Sequence, residues 1–545
     1  MVNLEKRDCF ARICSIKIDD KTYKTPLMIN FLEKNSLIKK IDFGKVPYIL
    51  EKIDKNKFEI LGPKSNYFTI LTGFKLLKPK ELVETVIKLK TINPSKPIYT
   101  PALATPKNVL ILIYLGIDVV DNILPIIQAF LGIYMLPNGE FNIESLKELP
   151  CNCKVCNSLT INELLKLDYN ERSLMIAKHN TAMLESQIKL AKELIRHENL
   201  RNVLEGQSRL DTYLSAILRL CDENKSFGKF YPRFKKSKAI LFKDSFTRIE
   251  IRNFFKNALK FYNPKSKALL ILPCTATKPY LISQTHKKLR KKVRILVNEI
   301  IVSSPLVVPR EFELLYPAIN YDVPVTGIWD DDEIKFVATK LHQFIEKGSF
   351  EKIIAHVEKG YKKVVECASE IGGFDVVFTS NGDLFSRSSI EKLKKELIPY
   401  NDANFELKKY IFEHMIKYQF SLDYKLQDFY IKGKYPDLKL FVNKVPFLRI
   451  DKNYGMLDVY EGFAKVLYNK KIYSVKIDDF EPKGTIFAKG ILDADINIKP
   501  NDIIIFYNSF LMGVGRSYMS GKEIAAGLNG FAIKIKRKWL LDRKS

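Results

Sequence analysis

The sequence predicts a multidomain α/β protein that ends in an all-β barrel, and three observations predict it. Residues 266–380 alternate short apolar runs with helical stretches, the rhythm of a parallel sheet covered by helices. Strand and helix signals also alternate from Thr100 onward and suggest a barrel-like α/β module. From about Ile472 the chain turns to short strands and glycine-containing turns, the pattern of a small barrel. A chain of 545 residues holds about three or four domains, and 46% hydrophobic residues supply their cores.

Taken in order, residues 1–100 mix short strand-like runs with lysine-rich turns and carry no recognisable chemistry. The text then becomes T-P-A-L-A-T-P-K-N-V, followed by Y-L-G-I-D-V-V-D-N-I-L-P. Residues 157–220 are helical in pattern, with a long amphipathic stretch at 184–200 and no proline. The apolar run 268–272 reads as a buried strand that Pro273 stops. A basic helix follows at 283–292, then a strand at 299–303, a proline-rich loop and a helix from Asp331. A strand at 353–357, a helix at 359–370 and a strand at 374–380 close the series. Residues 400–468 read as a small α+β unit. We expect domains at 1–220, 221–396, 397–468 and 469–545.

The net charge is +27, from 89 basic and 62 acidic residues. Compositional bias toward lysine would enrich glutamate alongside it, so the uncompensated excess points to a polyanionic partner, nucleic acid rather than an anionic membrane. No apolar run approaches the length of a membrane span and no signal peptide opens the chain, so the expected location is the cytoplasm. Cysteines there stay reduced unless they bind metal. Cys151, Cys153 and Cys156 form C-x-C-x-x-C, with His179 downstream. Three soft thiolates and one imidazole suit a tetrahedral structural zinc, a closed set that leaves no position for water or substrate.

The densest chemistry lies at Pro273 to His286, P-C-T-A-T-K-P-Y-L-I-S-Q-T-H. Cys274 sits where the chain leaves a strand, and open α/β sheets bind ligands at the carboxyl ends of their strands. Lys278, Tyr280, Ser283 and His286 follow within one loop and one turn. Ser283 and His286 are spaced to share a helix face.

The pattern Pro-Cys, three residues, Lys-Pro-Tyr, two residues, Ser, two residues, His resembles the signature of the archaeosine synthase family, paralogues of archaeal tRNA-guanine transglycosylases. The run from Ser304 to Asp330 resembles the same family. The cysteine cluster with His179-Asn180 is similar to the transglycosylase zinc site. Gly116-Ile117-Asp118-Val119-Val120-Asp121, followed by Leu124-Pro125, resembles the segment that ends in the transglycosylase nucleophile. That places Asp121 at the nucleophile position, where it acts as nucleophile, survives as scaffold or helps hold the modified base. The family's base-recognition motifs, a second Asp in matching context and an Arg pair after Asp121 are missing. Gly484 to Gly490, Asp502 to Phe506, Met512 to Ser517 and Gly530 to Lys534 resemble a PUA domain. There Gly513, Gly515, Arg516, Lys522, Lys534 and Lys536 are candidate RNA contacts. Lys417 to Phe420 and Asp451 to Gly455 resemble the domain that precedes it in archaeal transglycosylases.

The resemblance implies a TIM-barrel-like N-terminal module and a tRNA substrate carrying 7-cyano-7-deazaguanine in its D-loop. A nitrile becomes an amidine by gaining a nitrogen nucleophile, and a thiolate adds to a nitrile to give a covalent thioimide. Cys274 takes that role, Lys278 favours its thiolate, His286 shuttles protons, and Tyr280 and Ser283 orient the base or the thioimide. Lysine is the favoured donor because no glutaminase domain is visible, with glutamine as the other. A radical enzyme of the S-adenosylmethionine class and a second copy of the chain are the other expected partners. The rival readings are a base-exchange enzyme using Asp121 and a non-catalytic tRNA-binding subunit.

Overall fold

The structure is a computed structural model that describes residues 2–33, 65–72, 78–242, 245–324, 328–401 and 406–541. Part of the lysine-rich stretch before Thr100, and Val325, Thr326 and Gly327 of the run ending in Trp329-Asp330, lie outside these. The fold is mixed α/β and divides into two compact units. One comprises Met1–Tyr231, Val475–Pro500 and Arg516–Ile535; the other comprises Pro232–Ser474, Asn501–Gly515 and Lys536–Ser545. The C-terminal strands therefore contribute to both. No helix among the described residues is long and apolar enough to cross a membrane.

The first unit opens with an antiparallel meander of Val2–Asp8, Ala11–Ile18 and Lys21–Lys24. Its first strand also pairs, in parallel, with Asn529–Leu540, placing Asn3 opposite Asn529 and Leu4 opposite Gly530. Gly530 is required there: its φ is +111°, and a Cβ would lie 2.1 Å from the Leu4 nitrogen. A buried ion pair between Arg7 and Glu523, 2.5 Å long, reinforces the seam. Beyond the meander, Leu27–Ile29, Val119–Asp121, Ile98–Tyr99 and Thr69–Ile70 form a parallel sheet in that order. The proline-free stretch becomes helices Tyr169–Arg196, Leu200–Gln207 and Thr212–Glu223. The first of these packs against Ile123–Phe130.

The second unit is built on a five-stranded sheet. Ala268–Pro273 is central, with Asn298–Val302 parallel on one side and Lys352–Ala355 parallel on the other. Val377–Phe378 extends the sheet in parallel beyond Lys352–Ala355, and Val307–Pro309 runs antiparallel at the opposite edge. Ala268, Leu270 and Leu272 share one face, as the two-residue period of a strand dictates. They are buried against Leu289 and Val293 of helix Gln284–Val293 and Leu393 and Leu397 at the end of helix Arg387–Leu397. The central strand continues through Pro273, one residue past its expected end, because a proline lacks only the N–H and its carbonyl stays available. Residues 407–469 add helices Leu407–Phe420 and Glu461–Asn469 and a four-stranded antiparallel sheet.

Candidate active site

The chain leaves the central strand toward Asn298–Val302 on one side and later returns to Lys352–Ala355 on the other. Such a reversal opens a crevice at the carboxyl ends of the strands. Cys274 is the first residue beyond the central strand, held there by its N–H to the Val302 carbonyl at 3.0 Å. Its side chain is half-buried. Tyr361, on helix Lys359–Gly372, comes from beyond the neighbouring strand and brings its hydroxyl to 3.2 Å from the Cys274 sulfur. Burial and the nearby Cys274 push the Tyr361 phenol upward, so it is protonated at neutral pH. Trp329 packs edge-on against Tyr361 at 5.2 Å.

Lys278 lies with its ammonium 4.3 Å from the centre of the Tyr321 ring. Burial lowers its pKa, while Cys274 and Asp322 act to hold the proton on. Tyr280 is fully buried, and its hydroxyl meets that of Tyr321, which donates to Ser303 Oγ at 2.7 Å. This internal chain occupies the Tyr280 hydroxyl, in place of the expected contact with a base. Ser283 is likewise spent within the fold: it caps helix Gln284–Val293, its Oγ accepting from the His286 N–H at 3.2 Å.

His286 departs furthest from its expected role. Its Nε2–H donates to the Pro273 carbonyl at 3.0 Å and its Nδ1 accepts from Arg310 at 2.8 Å. Burial first, and Arg310 second, lower its pKa to about 3, so the ring stays neutral. With both nitrogens bonded in this structure, His286 braces the strand end that carries Cys274. Arg310 also donates to Glu299 at 2.6 Å and pairs with Glu313 at 2.5 Å. Burial acts to raise the Glu299 pKa, but Arg290 and Arg310 overcome it and hold it at about 2. The Tyr435 hydroxyl donates to Glu313 and completes the cluster.

Sequence reasoning missed Tyr361, Tyr321, Arg310, Glu299 and Glu313. The one visible signal was P-R-E-F-E, three charges directly after the apolar run Leu306-Val307-Val308. Also missed was His356, at the end of the adjoining strand. It is buried between Thr379 and the Leu384 carbonyl, at 2.9 and 2.8 Å.

In the other unit, Cys151, Cys153, Cys156 and His179 converge, their ligand atoms all within 4.8 Å of one another. The Cys153 and Cys156 sulfurs are 3.6 Å apart. A tetrahedral ion with metal–sulfur bonds of about 2.3 Å spaces neighbouring sulfurs about 3.8 Å apart, so the cluster can hold a metal. His179 Nε2–H donates to the Met135 carbonyl at 3.0 Å, which turns Nδ1 toward the sulfurs, 3.5 and 3.4 Å away. Such an outer partner fixes the tautomer a ligand needs. Tyr134 stacks on the imidazole at 3.7 Å, and Asn180 ties the helix to Met135, Pro125 and Ile133.

Asp121 is completely buried. Its carboxylate accepts from the Tyr99 hydroxyl at 2.6 Å and from the N–H groups of Ala102 at 3.1 Å and Ile123 at 3.0 Å. Burial raises its pKa to about 6. These partners make it a tie between strand ends. Asp121→Asn keeps one acceptor oxygen, so we expect a loss of about 1–2 kcal/mol in stability from the weakened bonds. Product formation by the folded protein should persist. Thermal unfolding and product assays check this, and complete loss of product from folded protein would restore Asp121 to the chemistry.

Among the C-terminal candidates, Gly513 is a packing glycine: a Cβ there would meet the Phe506 ring at 2.2 Å and the Arg537 carbonyl at 2.6 Å. Gly515 and Arg516 are buried in the same strand, Leu511–Ser517. Lys522 is half-buried in the short helix Gly521–Ala525. Lys534 and Lys538 are exposed on strand Asn529–Leu540. Lys536 between them is paired with Asp458 at 2.9 Å, so the basic face of that strand is partly neutralised.

Four family models match the chain. That of queuine tRNA-ribosyltransferase covers residues 63–210, a domain of unknown function 251–397, a pre-PUA domain 405–468 and a PUA domain 480–539. The archaeosine synthase subunit alpha of Methanosarcina acetivorans is 36% identical over 480 residues, covering 84% of this chain and 77% of that one. The archaeosine synthase of Haloferax volcanii is 32% identical over 448 residues, covering 80% and 75%. A crystal structure of a protein of unknown function is 49% identical and matches 53% of this chain and 100% of that chain, with a TM-score of 0.48.

Proposed function

The chain belongs to the archaeosine synthase family, and we propose that it is a tRNA-modifying transferase whose Cys274 thiolate attacks the nitrile of 7-cyano-7-deazaguanine in the tRNA D-loop. The observation that carries this reading is a half-exposed thiol at the switch point of a parallel sheet, 3.2 Å from a protonated phenol. A protein that only binds tRNA has no use for that pair.

In the first step the sulfur–carbon bond forms and one π bond of the nitrile opens. The nitrogen takes up a proton, leaving a thioimide. The Tyr361 hydroxyl is the available donor, and Lys278 stabilises the thiolate before attack and the imide charge during it. In the second step lysine's amine, or ammonia, adds to the same carbon, gives one N–H proton back to the Tyr361 phenolate and expels the thiolate, giving the amidine and restoring Cys274. No bond to phosphate is made or broken, so the sequence needs no nucleotide. Tyr280, Ser283 and His286 hold the loop in shape.

Lysine is the favoured donor and glutamine-derived ammonia the alternative. The Methanosarcina relative is named as a subunit, which supports a second enzyme that completes the product when lysine is added whole. Zinc is the metal proposed for Cys151, Cys153, Cys156 and His179, in a closed structural role.

Mass spectrometry of nucleosides tests the reading, after cyano-modified tRNA is incubated with the protein and either lysine or ammonia. A base heavier by one lysine supports the favoured donor, and the free amidine with ammonia supports the other. Exchange of the base itself, with no adduct, would replace the proposal with the transglycosylase reading. Tyr361→Phe removes the proton donor and keeps the ring. It should lower kcat about a hundred- to ten-thousandfold, the span of general acid catalysis, and leave the affinity for tRNA unchanged in a filter-binding assay.

A further inference from the structure

Helix Gln284–Val293 and the small α+β unit enclose an open cleft of about 810 Å³. Its walls carry Lys287 and Arg290 from the helix, Lys408 and Lys409 from the next unit, and the rings of Phe429, Tyr430 and Tyr435. Glu406 is its one acidic residue. Lys287 and Lys408 form no ion pair with any described residue, and Lys409 sits 5.0 Å over the Phe429 ring. Tyr430 is held flat against Phe441, centroids 4.8 Å apart and planes within 7°. A ring fixed in that way is a preformed stacking platform.

The volume falls in the range of small-molecule sites, about 300–1,000 Å³, but those are mostly enclosed and apolar with a few polar groups. An open cleft with three lysines, an arginine paired with Glu299 at 3.1 Å, one acid and three aromatic rings has the composition of a groove that tracks a nucleic-acid backbone and stacks its bases. Its position ties it to the chemistry. Leu281, in its wall, lies between Tyr280 and Ser283 of the motif loop. Tyr435, also in the wall, bonds to Glu313 of the cluster that braces His286.

We propose that this cleft is an RNA-binding groove. It takes an unpaired stretch of the substrate tRNA, with phosphates on Lys287, Lys408 and Lys409 and a base against Tyr430, and so leads the chain past the Cys274 loop. This goes beyond the PUA domain as the RNA-gripping element. It rests on the reading of tRNA as substrate but not on the thioimide chemistry.

The test measures binding of unmodified tRNA by the full chain as a function of salt. The variant carries Lys287→Ala, Lys408→Ala and Lys409→Ala. A control removes equal charge elsewhere in the same unit by Lys347→Ala, Lys392→Ala and Lys395→Ala. The slope of log K against log salt should fall by about 2–3 for the cleft variant, since each phosphate contact contributes about 0.7–0.9, and Kd should rise at least tenfold at about 0.15 M salt. The control should change much less, and replacing the three cleft lysines by arginine should retain the parental slope. Tyr430→Ala should weaken binding about five- to hundredfold with the slope unchanged, as loss of stacking does; its thermal unfolding reports whether it still folds. Equal effects of the two triple variants, or no effect of either, overturn the groove and leave the cleft to a protein partner. Because binding is read without turnover, failure of the product assay sinks the thioimide chemistry and leaves this result standing.

Discussion

On the proposed thioimide mechanism, Cys274→Ala should abolish the amidine product and leave tRNA affinity within about twofold of the parent. The two halves of that expectation have different physical origins. Without sulfur no covalent intermediate forms, and the amine must attack the nitrile directly. Loss of an activated nucleophile acting with its partners typically costs several powers of ten in rate. Affinity is set by counterion release over many phosphates, to which one thiol adds almost nothing. Nucleoside mass spectrometry and a salt-controlled binding assay read the two halves separately. Undiminished turnover in the alanine variant would remove the thioimide from the mechanism. Trapping of a sulfur-linked adduct by denaturing the parent in mid-reaction would support it directly.

Cys153→Ser should release about one metal ion per chain and loosen the region from Tyr134 to Arg196. Structural zinc contributes about 10–16 kcal/mol in small zinc domains. Losing even a third of that, about 4 kcal/mol, exceeds what most single substitutions do. The cluster joins the loop bearing Cys151, Cys153 and Cys156 to helix Tyr169–Arg196 through His179, so removing one ligand unties a loop from its longest support. Metal analysis of the purified protein, followed by limited proteolysis of the variant, checks both parts. A parent protein with no bound metal would show that the four residues serve packing alone.

The central sheet was legible because its inner strands are buried on both faces and stand out as apolar runs between helices. The expected strands at 299–303 and 353–357 fall within one or two residues of Asn298–Val302 and Lys352–Ala355. The cysteine cluster was legible for a related reason: three of its four ligands are neighbours in the chain. What could not be read was the direction of polar atoms. Tyr280, Ser283 and His286 were seen as a set of available groups, yet each is bonded inward, to Tyr321, to a helix N-terminus and to Arg310. The most telling partner of Cys274, Tyr361, lies 87 residues downstream, and no local pattern reports a contact made across two strand ends. The ion-pair partner of Lys536, Asp458, likewise belongs to another element.

The seam between Val2–Asp8 and Asn529–Leu540 has a consequence for biosynthesis. The far edge of the opening strand has no mate until Asn529 and Gly530 leave the ribosome, 526 residues after Asn3. At roughly 5–20 residues per second that interval is about half a minute to nearly two minutes. An unpaired edge is a template for the wrong chain, so for that time the nascent protein carries an aggregation hazard. Arg7 likewise waits for Glu523. A polysome on this message would hold many such unfinished edges close together. Slow translation of the codons between the two strands would then lower the yield of active enzyme without altering one residue of it.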